Sequence, residues 1–410
     1  MEKPDVVVIG AGAAGMVAAI AAAERGVSVV VLEKMERAGK KLRITGKGRC
    51  NITNTKPWLE FSTHIHPSSQ FFRHTFYHFD NIRTIDYFNQ LGVKTVIERG
   101  DRVYPVSGVA EEVVDALLRK MEHLCVQVLY NSRALRIECR GGAVTGIVYK
   151  TGATEHIVEC SAVIMATGGL SYPSTGSNGD GYRMASEVGH TITERFPSLT
   201  ALMPSNYVKD LEGIHLKNVE LSLYAGRDIL QREFGELDFT SNGIEGPIGI
   251  KISRRAVKSM VSGNRCSVNI DLKPAVTIEQ LQSRLAREFS GEDSIRVFLN
   301  KIVLTKLVNP FIEMNNLGKK SVGFEKMAYL LKNWKMELSG FTSYERAVIT
   351  AGGVSLEEIV SKSMKSKIYD NLFFAGEVIN IDADSGGYNL QIAFSTGFVA
   401  GESAAQMVRK

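Results

Sequence analysis

The alternation of apolar and polar positions at the start of the chain predicts a strand, a helix and a second strand. Residues 5–9 form a short apolar run that ends at a glycine, which is typical of a buried parallel strand. An alanine-rich helix is predicted over residues 13–25, with Gly26 at its C-terminal cap, and residues 27–32 are predicted as the second strand. A βαβ unit of this kind indicates a parallel, doubly wound α/β sheet.

The pattern changes twice further along the chain. Up to about residue 190 the chain continues to alternate helices and strands. The predicted helices lie near 67–79, 81–91 and 107–123, the strands near 126–130 and 161–166, and a hairpin near 134–149. Short alternating strands dominate from about 190 to 275, and a helical period returns from about 277 to 335. The last 65 residues return to the pattern of the first segment, with a buried strand predicted at 371–375 and a long helix from about Tyr388.

We therefore predict a Rossmann-type domain that is built from both ends of the chain and interrupted by an insertion. Its predicted boundaries are residues 1–190 and 345–410, the inserted β unit covers 191–275 and 336–344, and a small helical unit covers 276–335.

Composition narrows the class of protein. The 410 residues are 44% hydrophobic and 23% charged, which indicates a globular rather than a disordered chain. The formal net charge of +5 fits the binding of a small anionic molecule and is too small for a nucleic-acid footprint. The five cysteines form no C-x-x-C pair, which argues against disulfides, structural zinc and a dithiol redox centre. With no basic signal region and no long apolar run, we expect a cytoplasmic protein without a membrane span.

A glycine-rich fingerprint lies between the first strand and the first helix. Gly10, Gly12 and Gly15 form G-x-G-x-x-G, in which the glycines permit a tight turn, close approach of a diphosphate and close helix packing. The positive end of the helix dipole then faces the diphosphate. Glu33 ends the second strand, where its carboxylate can accept hydrogen bonds from ribose hydroxyls. The order of strand, glycine-rich loop, helix, second strand and acidic residue predicts dinucleotide binding but does not by itself distinguish NAD from FAD.

Three later segments favour FAD. The basic segment 40–51 contains Thr45-Gly46-Lys47-Gly48, a flexible loop of the phosphate-cradling type, although a solvated or nucleic-acid-binding patch is the alternative. Thr167-Gly168-Gly169 ends a strand, and the turn-rich residues 172–181 follow at the edge where α/β sheets bind ligands. Gly386-Gly387 opens the last helix, so its backbone N–H groups are suited to the negative charge that reduction places on a flavin.

These motifs resemble those of the BaiN-like, or aminoacetone oxidase-like, family of FAD-dependent oxidoreductases. The resemblance covers the whole chain and is carried by residues 45–54, 104–107, 166–181 and 376–391. A more distant similarity extends to fumarate reductase-type and glucose-inhibited-division flavoproteins. The family implies a glutathione reductase-like FAD domain, a β-barrel-like insertion and a small helical unit. Glu377 and Asp384 depart from the wider pattern, which often has aspartate and glycine at these positions.

The predicted cofactor contacts fall in the same segments. They are Gly10, Gly12, Ala13, Ala14, Gly15, Glu33, Lys34, Lys40, Lys41, Gly46, Gly48, Arg49, Cys50, Asn51, Val128, Thr167, Gly168, Gly169, Gly376, Glu377, Asp382, Gly386, Gly387, Asn389, Leu390 and Gln391. In this set Glu377 or Asp382 is expected to accept hydrogen bonds from ribityl hydroxyls.

No side chain stands out as a catalytic acid or base. Tyr388, beside the glycine pair, is a candidate for presenting its phenol to a flavin, and packing is the alternative interpretation. Cys50 lacks a partner cysteine for redox work. His64 and His66 have no acid cluster near them in the sequence, so we predict no metal site.

The sequence leads to one main functional hypothesis and two alternatives. The main hypothesis is hydride transfer through FAD between a small organic substrate and either NAD(P)H or oxygen. A second G-x-G-x-x-G is absent, which argues against a dedicated NAD(P)H domain. The alternatives are an FAD-binding protein of RNA modification or redox sensing, and a peroxide-forming oxidase. The modest net charge of +5 argues against contact with nucleic acid.

Overall fold

Segments from both ends of the chain fold together. The computed structural model describes residues 3–288, 294–317 and 322–409. Backbone contacts divide these residues into two units: one contains the chain up to Arg195 and again from Ile349, and the other is Phe196–Val348.

The first unit alternates strands and helices. Its strands are β1 (Val6–Ile9), β2 (Val29–Leu32), β3 (Thr53–Asn54), β4 (Ile65–His66), β5 (Thr95–Glu98), β6 (Arg102–Pro105), β7 (Gln127–Leu129), β8 (Ser132–Arg140), β9 (Ala143–Thr151), β10 (Thr154–Glu159), β11 (Ala162–Met165), β19 (Ile349–Ala351), β20 (Ile359–Val360), β21 (Lys365–Ser366), β22 (Leu372–Phe374) and β23 (Asp382–Ala383). Its helices are α1 (Ala13–Ala23), α2 (Lys40–Gly48), α3 (Trp58–Phe61), α4 (Ser69–His78), α5 (Asn81–Gln90), α6 (Ala110–His123), α7 (Asp180–Glu187) and α13 (Tyr388–Val408).

A seven-stranded sheet forms the centre of this unit, in the order β20-β21-β22-β11-β1-β2-β7. The five strands from β22 to β7 are parallel, and Val8 of β1 lies between Ile164 and Val31. Every residue of β1, β2, β11 and β22 is buried, as expected for a sheet covered on both faces. Because β22 comes from the C-terminal segment, the sheet joins the two ends of the chain.

Helices α1 and α13 pack against each other through small residues. A Cβ atom added at Gly397 would lie 2.3 Å from the carbonyl oxygen of Ala14, and one added at Gly401 would lie 2.2 Å from that of Ala18. The two contacts advance together along both helices, so α1 and α13 run in the same direction. Gly397 and Gly401 therefore form the surface of α13 that contacts α1.

The strands of the second unit are β12 (Phe196–Ser198), β13 (Leu202–Pro204), β14 (His215–Ala225), β15 (Asp228–Thr240), β16 (Gly243–Glu245), β17 (Cys266–Asp271) and β18 (Trp334–Phe341). Six of them, β13 to β18, form a closed antiparallel barrel in the order β13-β16-β15-β14-β17-β18. Its helices are α8 (Gly246–Val261), α9 (Ile278–Glu288), α10 (Ile295–Asn300), α11 (Thr305–Met314) and α12 (Phe324–Lys332).

The predicted fold class is confirmed, with two local corrections. The basic segment after β2 is not simply a flexible loop, because helix α2 buries Leu42 while the φ/ψ angles depart from helical values only at Thr45, Gly46 and Lys47. Helix α8 lies inside the stretch predicted to be β-rich. Its buried Ile248, Ile252 and Ala256 follow helical spacing, a period that the surrounding strand pattern obscured. Part of the predicted helical unit, 276–335, lies outside the described residues.

The α1–α13 contact yields a stability prediction. We expect Gly401→Val to lower the free energy of unfolding by about 1–3 kcal/mol or more, because the new side chain overlaps a backbone oxygen that cannot move without shifting α1. Gln406→Val, at an exposed position of the same helix, is the matched control and should change the free energy by less than about 0.5 kcal/mol. Urea unfolding followed by far-UV circular dichroism measures both. Equal stability of the two variants would contradict the contact.

Candidate dinucleotide site

The glycine-rich loop between β1 and α1 has the geometry that a diphosphate requires. Gly10 adopts φ +101° and donates its N–H to the Leu32 carbonyl at 2.8 Å. A Cβ atom at Gly15 would lie 1.9 Å from the Gly10 oxygen, whereas one at Gly12 would meet no atom within 4 Å. Helix α1 starts at Ala13 without a side-chain cap, which leaves the amides of its first turn, including that of Ala14, available to a ligand.

Glu33 lies at the end of β2 and faces this loop. Its carboxylate accepts hydrogen bonds from the backbone N–H groups of Ala11, at 2.7 Å, and Met35, at 2.8 Å. Burial raises the pKa of Glu33, and these two hydrogen bonds oppose the rise. A carboxylate has about four acceptor positions, so two remain for the hydroxyls of a ribose.

The turn-rich segment 172–181 reaches the end of the same strand. Lys34 donates to the carboxylate of Asp180 at 2.9 Å, and Arg133 donates to it at 2.6 Å. Although burial alone would raise it, the hydrogen bonds from Arg133 and Lys34 hold the pKa of Asp180 below its usual value. Lys34 is thus already paired within the protein.

The loop after β11 is packed against the same segment. A Cβ at Gly168, whose φ is +71°, would lie 2.9 Å from the Ser177 hydroxyl, and one at Gly181 would lie 2.0 Å from the hydroxyl of Thr167. On the other side of β2, Val128 of β7 is half-buried and pairs with Val31. Thr167-Gly168-Gly169 follows a strand as the sequence predicted, and direct contact of these residues with a cofactor stays a prediction.

An ion pair joins α2 to the C-terminal segment. Lys41 donates to Glu377 at 2.6 Å, and the other carboxylate oxygen of Glu377 accepts the backbone N–H of Thr350 at 2.8 Å. Gly169 packs directly on this carboxylate, because a Cβ there would lie 2.7 Å from Glu377 Oε1. Each oxygen of Glu377 therefore has one protein partner and, as for Glu33, one acceptor position left, so the expected hydrogen bond from a ribityl hydroxyl to Glu377 stays a prediction. Lys40 pairs with Glu36 at 3.1 Å.

The segment after α2 approaches the start of α13. Gly46 and Gly48 have φ of +57° and +84°, and Arg49 stacks on the Tyr104 ring, 4.3 Å from its centroid. Arg49 also donates to Glu98 at 3.1 Å, so its guanidinium is engaged at the surface. Asn51, with its amide oriented to satisfy both neighbours, donates to the Thr53 carbonyl and accepts the N–H of Gly387, both at 3.1 Å.

Helix α13 begins at the glycine pair with its first amides uncapped. Gly387 adopts φ +98° and packs against β3, where a Cβ would lie 2.4 Å from the Thr53 oxygen. Asn54 donates to the Gly386 carbonyl at 3.1 Å. No side chain caps the helix, so the N–H groups near Leu390 form a second ready anion site.

The polar side chains at this helix start are directed toward the protein. Asn389 exchanges hydrogen bonds with Ala383, at 2.8 Å and 2.7 Å. Gln391 is fully buried, donates to Phe79 and Ser395, and accepts from Thr53 at 2.5 Å. These contacts leave the backbone of Asn389 and Gln391 as the part that could meet a cofactor, and the contact itself stays a prediction. Asp382 is fully buried, and Gly376 donates its N–H to Thr396 at 2.9 Å.

The two uncapped helix starts are arranged to hold one extended ligand. Since α1 and α13 run in the same direction, both positive dipole ends point the same way. From the contacts at Gly397 and Gly401, the start of α13 lies about 12 Å ahead of the start of α1 along the axis, at the helical rise per residue. A diphosphate at one end and an electron-accepting ring at the other would both meet free N–H groups. The residues present therefore fit FAD.

His64, His66 and Asp384 form a cluster that sequence reasoning missed. Strand β4 pairs with β23, and this pairing places Asp384 between the two imidazoles, at 2.9 Å from His64 Nδ1 and 3.2 Å from His66 Nε2. We had found no acid near these histidines, because Asp384 is distant in the sequence. Among the described residues no group of three His, Cys, Asp or Glu has the geometry of a metal site.

Tyr388 packs against this cluster. Its ring stacks on His64 with the centroids 4.3 Å apart, and the edge of Phe61 meets it at 4.8 Å. The residue is almost fully buried, and desolvation together with the nearby charge of Asp384 raises the pKa of its phenol. Both features favour packing over acid–base work for Tyr388.

A second histidine–carboxylate pair lies elsewhere in the unit. His190 contacts Glu358 through Nδ1 at 3.2 Å and Ser366 through Nε2 at 2.9 Å, an order of groups that resembles a hydrolase triad. Ser366 is fully buried, however, and its oxygen also accepts the N–H groups of Ile368 and Tyr369. Burial lowers the pKa of His190. This network is structural, since no substrate reaches the serine.

The described residues contain no helix long and apolar enough to cross a membrane. The glycine fingerprint, the acid at the end of β2 and the glycine-flanked start of α13 define a flavoprotein oxidoreductase of the Rossmann class. Within that class, the chain belongs to the HI0933-like family: the family profile "HI0933-like protein Rossmann domain" matches residues 4–403. The family resemblance seen in the sequence is thereby confirmed.

Two relatives align over nearly the whole chain. The 3-dehydro-bile acid delta(4,6)-reductase of Clostridium scindens is 29% identical over 410 residues, which cover 97% of this chain and 98% of the relative. The ribosomal RNA dihydrouridine synthase of Haemophilus influenzae is 27% identical over 415 residues, 98% of each chain.

Solved structures share the fold. A 3-ketosteroid delta1-dehydrogenase from Sterolibacterium denitrificans superposes with a TM-score of 0.57 at 15% identity, covering 99% of this chain and all of the other. An open flavocytochrome c3 fumarate reductase gives 0.52 at 17% identity, with 99% and 79% covered. The distant similarity to fumarate reductase-type flavoproteins is confirmed at the level of fold.

The burial of the cysteines yields a reactivity prediction. Burial raises the pKa of the Cys50 and Cys160 thiols to about 12, and Cys266 is also buried. We expect iodoacetamide at pH 8 to modify the exposed Cys125 and Cys139 in the native protein, and all five after unfolding, because the thiolate is the reactive species. Peptide mass spectrometry provides the measurement. Rapid native labelling of Cys50 would restore it as a redox candidate.

Proposed function

We propose that the protein is an FAD-dependent reductase that saturates an activated carbon–carbon double bond in a small organic substrate, with NAD(P)H as the source of electrons. The observation that carries the proposal is the uncapped start of α13 behind Gly386-Gly387, in the same unit as a complete dinucleotide fingerprint. The names of the two full-length relatives add the reaction class, because a delta(4,6)-reductase and a dihydrouridine synthase both saturate a C=C bond.

The residues of the first unit divide the work of holding FAD. The start of α1 would bind the diphosphate, Glu33 would accept the ribose hydroxyls, and the start of α13 would donate N–H groups to the flavin pyrimidine edge. When bound, FAD supplies hydride transfer. The N–H groups and dipole of α13 stabilise the negative charge that builds up on reduction, and they do so without reorganisation because Asn51 and Asn54 fix the glycine pair.

A second candidate is the same chemistry on a uracil within RNA. It is favoured by the dihydrouridine synthase relative, which aligns over 98% of both chains. The net charge of +5 argues against it, since a dedicated RNA-binding surface is ordinarily more basic. Salt separates the two candidates: RNA binding should weaken steeply between 50 and 200 mM salt, by a factor that depends on the phosphate contacts made.

Gly12 tests the cofactor assignment directly. A Cβ atom at Gly12 meets no protein atom within 4 Å, and its φ of −83° suits any residue. We therefore expect Gly12→Ala and Gly12→Asp to fold normally but to lose FAD affinity, the aspartate more strongly, because bulk and then charge enter the space of the diphosphate. The control is Gly340→Ala, where a Cβ is also unobstructed. Flavin absorbance of the purified proteins and FAD titration give the result. Undiminished FAD affinity in Gly12→Asp would rule out this binding mode.

The reaction itself is tested in anaerobic half-reactions. We expect the bound flavin to bleach on addition of NADH or NADPH, and then to reoxidise on addition of a conjugated enone such as a 4-en-3-one steroid, with the saturated product found by mass spectrometry. Uracil-containing ribosomal RNA is the parallel substrate for the second candidate. If neither NADH nor NADPH reduces the flavin, and if the flavin reduced by another donor is reoxidised only by air, the protein is instead an oxidase.

A further inference from the structure

Reduction of a double bond needs a proton as well as a hydride, and few groups around the start of α13 can supply one. Cys50 is held as a neutral thiol by burial, since its pKa is raised to about 12. Glu377 is committed to Lys41 and Thr350. The phenol of Tyr388 has its pKa raised by desolvation, so it is a poor acid. The imidazoles of His64 and His66 remain.

Asp384 cannot itself be the acid, but it orders the two histidines. Although burial opposes ionisation, hydrogen bonds from His64 and His66 hold the pKa of Asp384 at about 2, so it is a carboxylate in any ordinary buffer. An ionised carboxylate only accepts hydrogen bonds, so His64 Nδ1 and His66 Nε2 both carry hydrogens. The second nitrogen of each ring is thereby left to exchange a proton.

His64 is placed better than His66 for this task. Its bond to Asp384 is shorter, 2.9 Å against 3.2 Å, and its ring is stacked on Tyr388, the first residue of α13. The His64 side chain is 21% exposed, so protons can be replenished from water. The backbone N–H of Asp384 donates to the His64 carbonyl at 3.0 Å, and this hydrogen bond holds the backbones of the two residues together.

Other charged groups face this cluster from neighbouring elements. Glu60 lies on the side of α3, and Asp101 and Arg102 lie at the β5–β6 turn, where all three act electrostatically on Tyr388. Glu60 also interacts with His64 and is itself paired with Lys56 at 2.6 Å. None of the three hydrogen-bonds an imidazole of the cluster through a described contact, so Asp384 is the group that sets the orientation of His64.

Building on the proposed function, we propose that His64 is the proton-exchanging group of the flavin site and that Asp384 is its positioning residue. In the reduction, a hydride brings two electrons and one hydrogen to one carbon of the double bond. As the second carbon takes up its hydrogen, the N–H bond at Nε2 of the His64 imidazolium breaks and a neutral imidazole remains. Water then returns the proton. The two electrons come from NAD(P)H through the bound dinucleotide.

The test separates the two half-reactions in the holoenzyme. In His64→Phe, which keeps a ring on Tyr388, we expect reduction of the flavin by NAD(P)H to be unchanged and its reoxidation by the enone to slow by about 100-fold or more, the usual contribution of a general acid. His123→Phe, at the exposed end of α6, is the matched control and should behave as wild type. Stopped-flow absorbance measures both steps. An unchanged reoxidation rate in His64→Phe overturns the proposal.

Two further variants distinguish chemistry from packing. Added imidazole should restore part of the reoxidation rate of His64→Ala, which a merely structural histidine would not allow. Asp384→Asn should slow reoxidation less than His64→Phe does and should alter its pH profile, because the positioning carboxylate is lost while the acid remains.

A readout without turnover keeps the proposal independent of the substrate. A change in the protonation of His64 at the flavin site should shift the absorption band of the bound flavin when the pH is varied. The shift should vanish in His64→Phe and persist in His123→Phe. If the wild type reduces no enone but shows this shift, the proposed function fails and the place of His64 stands. A shift that is equal in both variants removes His64 from the site.

Discussion

The close contact between α1 and α13 is the constraint on which the candidate site depends. Gly397 and Gly401 let the backbone of α13 approach Ala14 and Ala18 more closely than any side chain would permit. Because the two helices are in register there, the positions of their starts relative to each other are fixed. A single packing interface thus sets the distance between the two sets of free N–H groups that an extended dinucleotide would use. Dispersion contacts between small residues stabilise the fold and position the site at the same time.

The polar side chains around the site are engaged by other groups of the protein. Glu377, Asn389 and Gln391 all hydrogen-bond to protein groups, and Lys34 is paired with Asp180. What they leave free is backbone: the amides at the starts of α1 and α13. A site built on backbone donors held by such a shell is preorganised, since no charged side chain must reorient when the ligand arrives.

The sequence predicted the backbone features of the site well and the side-chain roles poorly, for a physical reason. The positive φ angles of Gly10 and Gly387 are features of local conformation, which depends on neighbouring residues and can therefore be predicted from a short motif. The partner of Glu377 depends on how α2 meets the C-terminal segment, and the acid between His64 and His66 comes from a strand pairing that joins distant parts of the chain. Spacing along the sequence contains no signal for such contacts.

Burial distinguishes the His64–Asp384 pair from the His190–Glu358 pair. His190 has no exposed side-chain surface, and both of its ring nitrogens have protein partners, so its polar groups are satisfied and its role is to hold β20 and β21 in place. His64 has the same kind of partner on one nitrogen, but it is partly exposed and its other nitrogen has no hydrogen bond within the described residues. An unsatisfied nitrogen on an oriented imidazole is costly to keep in a packed interior. At the start of α13 the imidazole of His64 is partly exposed, and on the proposed function its free nitrogen would meet a substrate.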